Sequence, residues 1–377
     1  MRSLTEQLGL EVPDVEEPER FFPPPVIDRL PPTRRLEGEP SWGEVYWDGS
    51  DTWQRVHASC LDVIDGLAQG ATLEEMGKAM PDYPTERILR SRDKRKLARK
   101  YIWRLRNLGY LELPLEEPPE VFAGRYERIR EIGRGSMGIA HLCKDRQTGQ
   151  EVIVKHAWGV LNSIRTGQKA TAIEMAILGR LDHPLIPRLV DGFTHRGLLH
   201  MVRSYAVGEP LNKAAPPVTD DRSKRLAWAT QILDILGHCH EQGFLLLDQA
   251  PGNFIARDDG HLEVIDVGVA RPLVDGCVRS RAALGTPGYI APEMRRKEDD
   301  GLGARGTVRS DLCNFGRLYA FLCMGQRPQR GWEHDELLAA LKDAGVPEED
   351  QKIVSALCRD DPNERPADVA AARQLFA

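Results

Sequence analysis

The chain has 377 residues, 41% of them hydrophobic and 29% charged, which is typical of a water-soluble globular protein long enough for two domains. The net charge of −6 identifies no class of partner, because local patches of charge decide binding more than their sum does. Seven scattered Cys without a CxxC pair favour reduced thiols over a disulfide framework or a zinc site. The chain has no apolar run of about 18 residues and no signal-peptide core, so we expect a cytoplasmic protein without a membrane span.

The first segment, residues 1–41, is predicted to be an extended arm. Residues 1–40 contain eight Pro and nine acidic residues, including FFPPP at 21–25. Such a composition does not readily form a packed core. A second segment rich in Pro and Glu, PLEEPPE at 114–120, predicts a linker over 114–123.

Residues 42–113 are predicted to form a small, mainly helical domain. TWQRVHASCLDVIDGLA, 52–68, has apolar residues at helical spacing, and a second predicted helix, ATLEEMGKAM, follows it. A basic helix over about 91–107 then leads into YLEL, a short predicted strand. This order of three helices and a strand is similar to a winged-helix domain in layout, although no specific motif supports that interpretation.

The basic segment has two possible roles. Between residues 87 and 106 there is one acid, Asp93, and ten cations: Arg87, Arg90, Arg92, Lys94, Arg95, Lys96, Arg99, Lys100, Arg104 and Arg106. An apolar stripe would seat this helix on its own core and turn the cations outward; it comprises Leu97, Tyr101, Leu105 and Leu108. The outward face is then either a contact for the phosphates of DNA or RNA, or a solvated or internally docked basic surface.

A glycine motif marks the start of the chemistry-bearing half. Gly133, Gly135 and Gly138 form GxGxxG, which by itself also fits a dinucleotide-binding turn that opens a helix. The flanking residues are β-branched on both sides, in YERIREI and EVIVK. These flanks favour a glycine-rich hairpin whose backbone amides approach phosphates.

Five further residues follow at informative spacings. Lys155 ends a predicted strand, and Glu174 lies nineteen residues later on a predicted helix, so the two can pair and aim the ammonium at nucleotide phosphates. Asp248 and Asn253 are five residues apart in LLLDQAPGN, and Asp266 follows an apolar strand. Asn253 and Asp266 supply the hard oxygen ligands that Mg²⁺ prefers, which leaves Asp248 to accept a proton.

In this order the motifs of residues 124–377 resemble a eukaryotic-like Ser/Thr protein kinase, of the kind found in bacteria. GTPGYIAPE at 285–293 is similar to the end of a kinase activation segment, and SDLCNFG to the start of the central C-lobe helix. DPNERP contains Arg365, which resembles the late Arg that pairs with the glutamate of APE, here Glu293.

The resemblance implies an α+β, bilobal kinase fold, with a β-rich N-lobe over about 124–208 and a helical C-lobe over about 209–377. It implies ATP and Mg²⁺ as cofactors and a protein as substrate. Lys155, Glu174 and Asp248 are the implied catalytic residues, and Asn253 and Asp266 the implied metal ligands. The implied ATP-binding residues are Gly133, Gly135, Gly138, Ala140, Ile153, Lys155 and Ala206.

Several positions depart from the family pattern. Leu247 replaces the Arg that meets an activation-loop phosphate, so we expect activity without that phosphate. Leu246 and Val267 replace His and Phe in an apolar column that Leu178 should join. Ala140 and Ile153 exchange the small and large residues over adenine, which roughly keeps the volume.

Two departures affect charge. Ala250 replaces a Lys that neutralises the transferring phosphoryl group, and Arg134 or a partner's cation is a possible substitute. Arg203 falls behind adenine, where a buried Arg needs a carboxylate partner that the sequence does not identify, unless the alignment is shifted. These losses keep an alternative open, namely a pseudokinase that acts as a nucleotide-binding scaffold.

Overall fold

The chain forms two compact units, which consist mainly of Glu16–Pro119 and of Glu120–Ala377. The structure is a computed structural model. It describes residues 26–27, 30–39, 42–46, 54–71, 73–80, 94, 98, 101–102, 111–112, 119–134, 138–157, 161–195, 198–214, 221–280, 283–295 and 303–376.

The first unit combines short strands with helices. Its sheet has the order β2-β3-β4 and is antiparallel, with strands Thr33–Arg35, Trp42–Val45 and Gln54–His57. Helices α1, Ala58–Ala68, and α2, Leu73–Ala79, follow, and β1, Val26–Ile27, pairs with β5, Leu111–Glu112. The core contains Val45, Val56, Cys60, Leu61, Val63, Ile64, Leu67, Met76, Met80, Ala98, Tyr101 and Ile102.

This architecture differs from the predicted one. Helices α1 and α2 and strand β5 follow one another in the predicted order, but a three-stranded sheet that was not predicted precedes them, and the winged-helix assignment has no support. Two of the strands, β1 and β2, lie inside the segment predicted to be an arm. Strands of two to four residues have too little periodicity to be recognised beside Pro and Glu.

The predicted basic helix lies mostly outside the described residues. Of its ten cations only Lys94 is described, and its ammonium donates to the Met80 carbonyl (2.7 Å). Of the predicted apolar stripe only Tyr101 is described; it is buried beside Ala98 and Ile102. The described residues thus agree with a helix that packs on its own core, and the predicted outward cations stay untested.

The second unit begins with the β-rich N-lobe. Its antiparallel sheet has the order β10-β11-β9-β8-β7-β6, and α3, Leu161–Leu178, belongs to the same lobe. The strands are β6 Val121–Phe122, β7 Tyr126–Arg134, β8 Ile139–Asp145, β9 Glu151–His156, β10 Leu189–His195 and β11 Leu198–Ser204. Strand β6 lies within the segment 114–123 that the sequence predicted to be a linker.

The register of this sheet separates two sets of side chains. Lys155 lies opposite both Ala140 and Met201, and Ile153 lies opposite Arg203. Because alternate residues of a strand share a face, these five side chains lie on one face of the sheet. The nucleotide-binding candidates Ala140, Ile153 and Lys155 are therefore brought to the same surface by β-pairing alone.

The opposite face carries a cluster of buried imidazoles. His156 and His200 face each other across β9 and β11, with ring centroids 4.5 Å apart, and His141 stacks on His156 at 5.5 Å. Phe122 and Phe193 contact this cluster. Burial and the neighbouring imidazole lower the pKa of His200 to about 3, so this ring is neutral where it packs.

The C-lobe is mainly helical, as predicted. Its helices are α4 Leu211–Ala214, α5 Arg222–Glu241, α6 Pro292–Arg295, α7 Val308–Met324, α8 His334–Asp343, α9 Glu348–Leu357 and α10 Val369–Arg373. Its short strands are β12 Glu209–Pro210, β13 Phe244–Leu245, β14 Phe254–Ala256, β15 Leu262–Val264, β16 Arg271–Pro272, β17 Val278–Ser280 and β18 Ala304–Gly306.

Helix α7 forms the centre of this lobe, since every residue from 310 to 324 is buried. Thr307 and Ser310 form a capping box at its start, and Gly325, at φ 67°, ends it in the left-handed region. Gly316 is required where α9 crosses, because a Cβ there would lie 2.7 Å from the side chain of Leu357. The helix is therefore a rigid base for the loops that contact it.

Two expectations from composition can be compared with the structure. No disulfide links any of the seven cysteines, all of which lie among the described residues. Within the described part of the chain, no helix is long and apolar enough to cross a bilayer.

We predict that acidification destabilises the N-lobe through its buried imidazoles. A base whose folded pKa is lowered stabilises the fold above its unfolded pKa and loses this stabilisation as the pH falls towards the folded value. At pH 5 the low pKa of His200 alone should lower the free energy of unfolding by about 2 kcal/mol relative to neutral pH. His200→Phe should reduce this loss, measured by urea-dependent hydrogen exchange of peptides from β9 and β11.

The matched control for this measurement is His261→Gln, because His261 is exposed and lies outside the N-lobe. Exchange should be labelled at one fixed pH after equilibration in urea at pH 7.5 or pH 5. An unchanged pH dependence in His200→Phe would contradict the assignment of the loss to this cluster.

Candidate active site

The N-lobe lysine is held between two carboxylates. Lys155 Nζ lies 2.7 Å from Glu174 Oε2 on α3 and 3.2 Å from Asp266 Oδ2, at the end of the segment after β15. Burial lowers the pKa of Lys155, but the two carboxylates outweigh burial and hold that pKa above its usual value. The predicted Lys–Glu pair is thus formed, and the ammonium is charged and fixed in direction.

Asp266 connects this pair to the C-lobe. Its Oδ1 accepts a hydrogen bond from the Gly268 N–H (2.8 Å), and its side chain is 42% exposed. Burial raises its pKa, whereas Lys155 and the Gly268 N–H act more strongly and keep the pKa below its usual value. A Cβ at residue 268 would lie 3.1 Å from Asp266 Oδ1, which explains why a glycine follows this carboxylate so closely.

Asp248 lies at the end of a short loop after β13, and Thr286 of the GTPGYIAPE motif holds its carboxylate. The Thr286 N–H donates to Asp248 Oδ1 (2.8 Å), and the Thr286 side chain also hydrogen-bonds this carboxylate. Gly285, at φ 111°, allows the close approach, because a Cβ there would lie 2.7 Å from the Leu247 carbonyl. Burial raises the pKa of Asp248, as suits a group that accepts a proton.

The residues predicted to bind a metal fit a magnesium ion by their chemistry. Asn253 uses its amide N–H to hold the Asp248 carbonyl (3.0 Å), and within the described part of the chain its amide oxygen accepts no hydrogen bond. Asp266 presents a partly exposed carboxylate. Carboxylate and amide oxygens are the ligands that Mg²⁺ prefers, usually together with water and substrate phosphates.

The predicted nucleotide-binding residues are only partly described. Gly133 lies in β7 opposite Ala140, and Gly138 approaches β9 so closely that a Cβ would lie 2.6 Å from the His156 carbonyl. Gly135 lies outside the described residues. Ala206, just after β11, is buried.

The replacements in the apolar column pack as expected. Leu178, Leu246 and Val267 are each at most 3% exposed and belong to the same hydrophobic cluster, which joins α3 to the C-lobe. Ala250, which stands where the resemblance has a Lys, is part of this cluster and is 6% exposed. The side chain of the possible substitute Arg134 lies outside the described residues.

Arg203 has carboxylates nearby but forms no ion pair with any of them in the described part of the chain. Its side chain is 5% exposed, and its Nη1 donates to the Ser204 carbonyl (3.0 Å). Burial lowers the pKa of the guanidinium, and three carboxylates oppose that effect: Glu174, Asp266 and Glu263. The register opposite Ile153 makes a shifted alignment unnecessary.

The ion pair between Glu293 and Arg365, which the resemblance implies, is confirmed. Arg365 Nη1 and Nη2 donate to Glu293 Oε1 (2.7 Å) and Oε2 (2.9 Å) in a bidentate geometry. Arg365 is 3% exposed. This pair anchors the end of the activation segment to the loop before α10.

Sequence reasoning missed the residues that support the catalytic loop. Asp311 accepts from the backbone N–H groups of Leu246 (2.7 Å) and Leu247 (2.8 Å), and Asn314 donates to the Leu247 carbonyl (3.0 Å). Thr286 lies in GTPGYIAPE, and nothing in that motif indicates its bond to Asp248. The motif SDLCNFG marked α7, but contacts between residues more than sixty positions apart leave no local pattern.

Comparison with known proteins agrees with this geometry. The chain is 30% identical over 207 residues to mouse serine/threonine-protein kinase Nek1, which covers 52% of this chain and 17% of that protein. It is 29% identical over 212 residues to rice CBL-interacting protein kinase 16 (53% and 44%), and 26% identical over 256 residues to human ribosomal protein S6 kinase alpha-2 (64% and 33%).

The chain spans less than half the length of these curated relatives. All three are eukaryotic, so they lend no support to the expectation of a bacterial protein. The protein kinase domain family matches residues 126–376, which is more than half of the chain. Together with the Lys155–Glu174 pair and the bidentate Glu293–Arg365 pair, this match shows that the chain belongs to the protein kinase domain family.

Proposed function

We propose that the protein is an ATP-dependent protein kinase that transfers the γ-phosphate to Ser or Thr of a protein substrate. The observation that carries this proposal is the charged cluster of Lys155, Glu174 and Asp266, together with an Asp248 held by Thr286. A degenerate kinase would be expected to have lost one of these contacts. The family match and the Ser/Thr kinases among the relatives support the same activity.

The residue roles follow from the contacts. Lys155 would bind nucleotide phosphates, oriented by Glu174, and the face that carries Ala140 and Ile153 would contact adenine, with Ala206 beside it. The backbone amides of the loop with Gly133, Gly135 and Gly138 would approach the phosphates. Asn253 and Asp266 would hold Mg²⁺, which neutralises phosphate charge when bound. Asp248 would orient the substrate hydroxyl and accept its proton.

Asp248→Asn tests the activity directly. Loss of the proton acceptor should lower kcat by about 10²- to 10⁴-fold while ATP binding is retained. Because burial raises the pKa of Asp248, its ionisation at neutral pH opposes folding, and the variant should be at least as stable as the wild type. Radiolabelled ATP with Mg²⁺ and a generic protein substrate measures transfer, and urea unfolding measures stability.

A wild-type protein that binds ATP without transferring phosphate would instead establish the pseudokinase alternative. The loss of the catalytic-loop Lys at Ala250 is the reason to make this comparison.

We propose further that the kinase is active without phosphorylation of its activation segment. Leu247 is 1% exposed and packs in the C-lobe core, so it offers a phosphate no charge. In place of a phosphate contact, β17 pairs with β18 from Val278↔Gly306 to Ser280↔Ala304. These backbone hydrogen bonds hold Val278–Ser280 without a phosphate.

Phosphatase treatment of the purified wild type should therefore keep its activity within about twofold of the untreated protein. Ser280→Ala should likewise keep the activity within about twofold of the wild type. Mass spectrometry confirms removal of phosphate. Thr286→Ala should lower activity for another reason, because it removes the side-chain hydrogen bond to Asp248. Inactivity of the phosphatase-treated protein, with folding intact by circular dichroism, would refute this mode of activation.

For the first unit we propose contact with nucleic acid or nucleoprotein through the basic segment 87–106, in a cytoplasmic protein. The support is the charge of the segment, ten cations against one acid. Arg99, Lys100 and Arg104 are suitable probes of it.

The triple variant Arg99→Gln, Lys100→Gln, Arg104→Gln should reduce the slope of log affinity against log salt by about 3, since each lost phosphate contact lowers it by about one. Fluorescence anisotropy with labelled duplex DNA and RNA measures this. The matched control neutralises three exposed cations of the other unit: Lys144, Lys169 and Lys213. Equal slopes in both variants would exclude this segment as the contact.

A further inference from the structure

The segment that follows Thr286 is held by arginines. The Pro287 carbonyl accepts hydrogen bonds from both Nε (3.2 Å) and Nη2 of Arg327, and the Gly288 carbonyl accepts one from Arg317 Nη1 (3.2 Å). Thr286, which contacts Asp248, directly precedes the two residues whose carbonyls these guanidiniums hold. Positive charge therefore lies one to two residues along the chain from the contact with the proposed base.

Arg317 is buried without a counter-charge. It lies on α7 and is 1% exposed, and it donates to backbone carbonyls, including that of Trp332. In the described part of the chain no carboxylate lies within ion-pair distance of it, and its Nε has no hydrogen-bond partner. A buried charge of this kind is costly unless an anion compensates it.

Arg327 is the second arginine of this pair and lies at the surface. It is exposed, and its guanidinium lies 5.7 Å from the centre of the Tyr289 ring, which fixes its orientation. Two of its five N–H groups are used by Pro287, and among the described residues no carboxylate is close enough to pair with it. The remaining donors are available to a ligand.

Pro287, whose carbonyl Arg327 holds, lies at the surface. Gly288 behind it has φ 97° and is buried against the Pro328 carbonyl, where a Cβ would lie 2.3 Å from the oxygen. An extended peptide advances about 3.3 Å per residue. Since Pro287 directly follows Thr286, Arg327 is within reach of a substrate residue one to three positions from the acceptor.

We propose that Arg327, supported by the buried charge of Arg317, selects substrates with an acidic residue within three positions of the phosphoacceptor. The inference rests on the proposed kinase activity and adds the class of its substrate. A basic residue at the same position would meet two uncompensated cations and be disfavoured. The catalytic loop, residues 246–253, contains no cation that would draw the acidic residue elsewhere.

The test uses synthetic peptides with a single central Ser in a neutral background. Glu, Gln, Lys or phosphoserine is placed in turn at each of the three positions on either side of the Ser. The wild-type protein should phosphorylate a Glu peptide about five- to tenfold more efficiently, in kcat/KM, than its Gln counterpart at one or more positions. Phosphoserine should be favoured at the same position, and Lys should be disfavoured.

Variants then assign the preference to one side chain. Arg327→Gln should equalise the Glu and Gln peptides while leaving kcat for the Gln peptide within about twofold, and Arg327→Glu should favour the Lys peptide. Arg330→Gln is the matched control, because Arg330 is exposed in the same loop and forms no hydrogen bond in the described part of the chain. It should keep the preference of the wild type.

Three results would overturn the inference. The first is a wild type that phosphorylates all peptides equally. The second is an Arg327→Gln variant that loses activity on Glu and Gln peptides alike, which would make Arg327 a structural clamp. The third is loss of the preference in Arg330→Gln, which would show that the preference comes from the summed positive charge of the loop and not from Arg327. Absence of transfer to every peptide and to generic proteins would remove the proposed kinase activity as well.

Discussion

The carboxylate of Asp311, in the first turn of α7, accepts four hydrogen bonds from the chain that leads into the catalytic loop. The donors are the backbone N–H groups of Leu246 and Leu247 and the side chains of Gln249 and His240, at 2.7 to 3.1 Å. Asp311 is completely buried, and a buried carboxylate requires such donors. Because α7 is the core of the C-lobe, this contact fixes Asp248 relative to the whole lobe.

The same contact makes an unusual backbone possible. Leu247 has φ 65°, in the left-handed region, which costs a residue with a Cβ about 1–2 kcal/mol. Its N–H and carbonyl are both bonded to α7, and its side chain is buried, so the surroundings offset that cost. The bend turns Asp248 towards Thr286. Packing and backbone hydrogen bonds thus replace the charged contact that the resemblance would place at this position.

The cations near the carboxylates of Glu174 and Asp266 come from the N-lobe. Lys155 is shared by Glu174 and Asp266, and Arg203 adds a second buried cation close to these carboxylates. The catalytic loop contributes none, since its Lys position is Ala250, packed in the apolar core. The carboxylates are therefore compensated by residues of the β-sheet, whose register places Lys155 and Arg203 on one face.

The amino-acid sequence was sufficient to predict the bilobal kinase fold and the Lys155–Glu174 and Glu293–Arg365 pairs, because the motifs that carry them are local. The glycine loop, the spacing of Lys155 and Glu174, and the motifs around Asp248, Asp266 and Glu293 each occupy a few consecutive positions. Tertiary contacts were needed for the rest. The four bonds to Asp311, the carboxylates around Arg203 and the sheet of the first unit join residues distant in the chain or strands too short to show periodicity, and long-range packing of that kind leaves no pattern in neighbouring residues.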